Sequence, residues 1–114
     1  MARLVRLEEF RRRRGLVQFT RQELNQLLQL YSRRVASGEW RDYAIQHDTA
    51  RARFAVFRNR LEGPAFTIIK FVPGQDDKPS YLVAHGLCPL RRGTSLSEVL
   101  GVFERRLTLV SNGS

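Results

Sequence analysis

The side chains with chemistry to offer are few. His47, His85 and Cys88 are the only imidazole and thiol groups in the chain. A zinc site needs three or four clustered nitrogen or sulfur ligands. His85 and Cys88 stand three apart with no second pair to join them, so strand-end packing is their simpler role and no metal is expected. A serine or cysteine triad needs nucleophile, imidazole and carboxylate in contact. Each type is present, but no nucleophile-elbow signature is, nor a G-x-x-x-x-G-K-[ST] or G-x-G-x-x-G phosphate loop. Glu39 and Asp42 could pair as carboxylates, yet Asp42 adjoins Arg41 and both fit surface or ion-pair roles better. The expectation is a protein that is not an enzyme and holds no cofactor.

Charge is the stronger signal. Twenty Lys and Arg stand against 11 Asp and Glu, a net +9, and 18 of the 20 cations are arginine. Such a surface attracts phosphates or acidic partners, although a GC-rich genome would also enrich arginine. Residues 1–14 hold six arginines and two glutamates. Arg11, Arg12, Arg13 and Arg14 form a run that suits contact with a polyanion. Arg91 and Arg92 directly precede a helical pattern, and a helix N-terminus itself favours phosphate. These six arginines are the expected phosphate-positioning residues. A second candidate is "GEWRDY", with Trp40, Arg41, Asp42 and Tyr43. Trp40 is the single tryptophan. It is expected to be a plug joining helix to sheet, the alternative being an exposed interaction surface.

These residues need elements to position them. Thr20 and Glu23 form a T-x-x-E capping box. Leu24, Leu27, Leu28, Tyr31 and Val35 follow at helical spacing, and Gly38 stops the helix, predicted over 20–37. "RARFAVFRNR" (51–60), "AFTIIKFV" (65–72) and "YLVAHGL" (81–87) read as strands. The first two have both faces apolar enough to require cover. "PGQDDKPS" (73–80) is expected to be a polar hairpin loop. Whether 43–47 adds a fourth strand is open. Ser95 and Glu98 make a second capping box ahead of Leu96, Val99, Leu100, Phe103, Leu107 and Val110, a helix over 95–109. The predicted class is α+β: helix, three or four antiparallel strands, helix, in two layers with both helices on one face. A basic arm (1–15), one domain (16–110) and a tail (111–114) divide the chain.

Residues 17–107 resemble an alphaproteobacterial family catalogued as domain of unknown function 2794. The resemblance rests on "RQELNQLLQLYSRRVASGEWRDYAI" (21–45), "FAVFR" (54–58) and "GLCPLRRGTSLSEVL" (86–100). It implies a compact bacterial cytoplasmic domain and assigns no activity. "PGQDDKP" replaces a basic stretch typical of the family.

No apolar run approaches the ~18 residues of a membrane span, and the N-terminus lacks a secretory apolar stretch. With a single cysteine, a reducing cytoplasm is the expected compartment. Helix, three strands, helix is also the order of double-stranded RNA-binding domains, but their lysine cluster at the second helix is absent. The expected function is a small basic cytoplasmic protein that contacts RNA or DNA through arginines. The alternative is a protein–protein adaptor, regulator or homodimerising module, the covered second sheet face being its interface. No membrane partner is expected.

Overall fold

The computed structural model describes residues 15–59, 61–72 and 78–113, with side chains described as far as Glu104. Helix α1 spans Arg21–Ala36. Its capping box is closed in both directions: the Glu23 amide donates to Thr20 Oγ1 at 3.1 Å, and the Thr20 amide donates to Glu23 Oε1 at 2.7 Å. At the other end Gly38 takes φ +81°, a conformation that costs a residue with a Cβ. The Gly38 amide donates to Val35 O at 3.0 Å and the Glu39 amide to Arg34 O at 2.9 Å. That pair of bonds is a Schellman motif, which satisfies the last carbonyls of the helix.

Five strands follow: β1 (Asp42–His47), β2 (Arg51–Phe57), β3 (Phe66–Phe71), β4 (Ser80–His85) and β5 (Cys88–Gly93). They form one antiparallel sheet in chain order, β1-β2-β3-β4-β5. Among the described residues, the expected three or four strands are therefore five. Residues 42–47 form a strand, and a further one lies at 88–93, where an approach to the second helix was expected. "CPLRRG" contains a proline and two adjacent arginines, so it shows no apolar alternation. It is nonetheless an edge strand, where a proline is tolerated, and it is tied to β4 across the turn Gly86–Leu87 by pairs such as His85↔Cys88 and Leu82↔Arg92. The expected hairpin loop at 73–80 and the expected arm at 1–15 lie mostly outside the described residues, and the arginine run Arg11–Arg14 lies wholly outside them.

Helix α2 spans Leu96–Gly113, past the expected end at 109 and into the stretch expected as a tail. The Glu98 amide donates to Ser95 Oγ at 3.2 Å, as a capping box requires. The Glu98 carboxylate, however, accepts from the Thr94 amide at 3.2 Å, one residue earlier than the box predicts. Gly93 makes this approach possible: a Cβ there would lie 2.5 Å from Glu98 Oε1 and 3.2 Å from Val99 Cγ1.

Residues directly opposite in an antiparallel ladder share a face. One face therefore carries Ala52, Phe54 and Val56 of β2, Phe66, Ile68 and Lys70 of β3, and Tyr81 and Val83 of β4. All are buried, and the apolar ones form one core cluster with Leu27 and Leu30 of α1 and Leu96, Val99 and Phe103 of α2. Glu23 of α1 reaches Lys70 and Tyr81 on this face, and Phe103 of α2 packs edge-on against Phe66. Val17 and Phe19, ahead of α1, are buried in the same cluster.

Candidate functional site

Two polar clusters adjoin the core. The first surrounds Trp40, which is 3% exposed. The Schellman turn reverses the chain and sends the indole back beneath α1. There it meets Tyr31 (6.4 Å between centroids), Phe66 (6.2 Å) and Phe103 (5.5 Å, edge-on). Arg34 sits over this group, with its guanidinium carbon 5.8 Å from the Trp40 ring and 5.7 Å from that of Phe103. Its NH1 donates to both Glu39 carboxylate oxygens at 2.9 and 2.8 Å, and its NH2 to Phe103 O at 2.9 Å. The side-chain contact that closes a Schellman turn is usually apolar; here it is the Arg34–Glu39 ion pair. Burial alone would raise the Glu39 carboxyl, but hydrogen bonds from Arg34 and Ser37 outweigh it and hold the group below its ordinary value. Arg34 thus joins α1, the turn and α2.

The second cluster is Lys70, Glu23 and Tyr81. Lys70 Nζ donates to Glu23 Oε1 and to Gln18 O, both at 2.8 Å. The Tyr81 hydroxyl donates to Glu23 Oε2. Burial acts to raise the Glu23 carboxyl, yet the bonds from Lys70, Tyr81 and the Thr20 backbone hold it below the ordinary range. Burial and the adjacent carboxylate push the Tyr81 phenol up. Glu23 therefore caps α1 and fastens it to the sheet. This cluster was not anticipated from the sequence, although a signal was present: period 2 in "AFTIIKFV" puts Lys70 on the side of Phe66 and Ile68.

The remaining expected site residues are dispersed. Arg41 is exposed, and its amide donates to Phe57 O at 2.8 Å. Asp42 Oδ1 accepts from the Tyr43 amide at 2.8 Å. Tyr43 stacks on Phe54 at 5.2 Å and meets Tyr31 edge-on at 4.8 Å. Arg91 and Arg92 do not flank a helix N-terminus together. They are neighbours on edge strand β5, so their side chains leave on opposite faces of the sheet. Arg91 pairs with Val83 on the core face, and Arg92 with Leu82 on the other. Arg11–Arg14 lie outside the described residues. No group of three or more His, Cys, Asp or Glu that could hold a metal occurs among the described residues.

The second sheet face brings together residues far apart in the chain that no sequence motif joins. One ladder row crosses all five strands: Gln46, Arg53, Ile69, Leu82 and Arg92. The next row holds Arg51, Phe71 and Ser80. On the other side lie Ala44, Ala55, Thr67 and Ala84, then Asp42 and Phe57. Phe57, Ile69, Phe71 and Leu82 are half-buried, as is Arg53, while Arg51 and Arg92 are exposed. Arg53 Nε is buried with no hydrogen-bond partner. Asp48, in the β1–β2 turn, is held below its ordinary value by the amides of Ala50 and Arg51, helped by the charges of Arg51 and Arg53.

The chain belongs to the family described as "Protein of unknown function (DUF2794)", which matches residues 17–100. That span runs from Val17 to Leu100, and so takes in α1, the whole sheet and the first turn of α2. No curated protein and no solved structure matches the chain. No described helix is long and apolar enough to cross a membrane.

Proposed function

We propose that this is a nucleic-acid-binding protein of the bacterial cytoplasm, acting by binding rather than catalysis and holding phosphates with arginine. The observation that carries this reading is the second sheet face. Arg53 and Arg92 stand in one ladder row, and Arg53 Nε is a buried donor without an acceptor. A buried donor left unpaired is costly, and because Arg53 is half-buried a phosphate or carboxylate arriving from outside would meet its guanidinium and let the side chain turn to pair Nε. The net charge of +9 favours phosphate. Arg11–Arg14 would add to the same field.

The same face supports a second reading. Ile69, Phe71 and Leu82 adjoin one another there and form an apolar strip of the kind that docks a protein partner or a second copy. Salt dependence separates the two. Binding of a labelled oligonucleotide should weaken steeply as salt rises, because each neutralised phosphate releases counterions. An Arg53→Glu/Arg92→Glu variant should bind more weakly and show a shallower salt slope. If no oligonucleotide binds at low salt, the nucleic-acid reading fails and the protein-partner reading takes its place.

A further inference from the structure

The geometry points to a single-stranded nucleic acid as the occupant of the second sheet face, lying along β3 and β4 with its bases on the apolar centre. This inference rests on the nucleic-acid reading and names its substrate class. The pairing register is what places the groups. Ile69 and Leu82 lie side by side at the centre of the five-strand row, with Arg53 beyond one and Arg92 beyond the other. Three strand spacings separate the two arginines, about 14 Å. Phe71 stands two residues from Ile69 on the same face and pairs with Arg51. The face is therefore an apolar floor with a phenyl ring, bounded by cations on both sides.

Single strands present that chemistry in complementary form, since a base has an apolar π-face and its backbone carries the negative charge. Aromatic floors in basic grooves bind them with little regard to sequence. A duplex fits poorly for two reasons. Its bases are stacked inside and cannot lie on Phe71. A five-stranded sheet is also about 19 Å across, wider than the ~12 Å major groove that admits a two-stranded ribbon. A second copy docked face to face about a two-fold axis fits poorly as well. The two apolar centres would meet, but so would the arginine rims, and like charges brought together oppose association.

The test compares a labelled mixed-sequence single strand, as RNA and as DNA, with the duplex of the same sequence. Fluorescence anisotropy of the full chain at low salt is the readout, and light scattering reports oligomeric state. The single strand is expected to bind at least about tenfold more tightly than the duplex. Phe71→Leu keeps the face apolar but removes the stacking ring; it should weaken single-strand binding roughly tenfold and leave duplex binding unchanged. Gln29→Ala, at an exposed position of α1 on the other side of the sheet, serves as a fold-preserving control and should bind like the parent. If duplex and single strand bind equally and Phe71→Leu changes neither, the platform is overturned while phosphate binding survives. If neither binds, the nucleic-acid reading itself falls. If the protein is a dimer that Phe71→Arg converts to a folded monomer, the face belongs to a second copy and the inference is wrong.

Discussion

Glu23 carries three tasks at once: it closes the cap of α1, receives Lys70 and receives the Tyr81 hydroxyl. A carboxylate with three donors is stabilised in its charged form more than burial destabilises it, so its folded value lies below the ordinary 4.5. The sign of the pH dependence follows. A depressed carboxyl contributes stability above its unfolded value, and that contribution is lost as pH falls through the folded one. Acidification below about pH 4.5 should therefore lower the denaturant midpoint of the parent chain. Glu23→Gln should be less stable at neutral pH, with a flatter acid limb. An unchanged acid limb in that variant would show that other carboxylates govern it. Some of this residue-scale detail was legible in advance. The T-x-x-E pattern located the cap, and the position of Trp40 two residues beyond Gly38 indicated a ring folding back under the helix. Arg53 was not legible, because β2 is apolar on both faces: Phe54 and Val56 alternate with Ala55 and Phe57, so period 2 alone could not say which set met the helices.

At the scale of elements, the long amphipathic segments were read within a few residues and the edges of the sheet were not. Helix α1 announces itself through its cap, its apolar stripe and its glycine stop. Strands β2, β3 and β4 are rich in β-branched and aromatic residues. Strand β5 owes its structure to pairing with β4, a long-range cause that "CPLRRG" does not display, and it was therefore mistaken for a lead-in to α2. That error had a consequence for function, since it put Arg91 and Arg92 together at a helix N-terminus, whereas the strand sends them to opposite faces. The junction after α1 lends itself to measurement. Gly38 has φ +81°, and no atom stands within 4 Å of the point where a Cβ would lie, so Gly38→Ala introduces backbone strain without a clash. A cost of about 1–2 kcal/mol is expected, read as a lower denaturant midpoint with an unchanged slope. A loss well beyond that range would mean that the substitution also dislodges Arg34 from Glu39 and Phe103, which the geometry does not require.

The whole molecule divides its work between the two faces of one sheet. The core face holds the stability: Phe54, Val56, Ile68 and Val83 are essentially inaccessible to solvent, and both helices send side chains to it. The second face keeps its apolar residues half-buried and sets among them an arginine whose Nε has no hydrogen-bond partner. A protein selected for stability alone would gain by replacing that arginine, since a buried polar donor without a partner costs about 1–3 kcal/mol. Under the proposed function that arginine would serve a phosphate rather than the fold. Stability and binding should then respond to Arg53 in opposite directions. Arg53→Leu keeps an apolar stem on the face and removes the orphan donor, so its denaturant midpoint should equal or exceed that of the parent, with a gain of up to about 1 kcal/mol. The same variant should bind a single-stranded oligonucleotide more weakly and lose about one unit of salt slope, because one phosphate contact is gone. Chemical unfolding and a salt titration on the same two proteins measure both quantities. A lower midpoint with unchanged binding would assign Arg53 a packing role, its methylene stem covering Ile69, and would remove it from the binding surface.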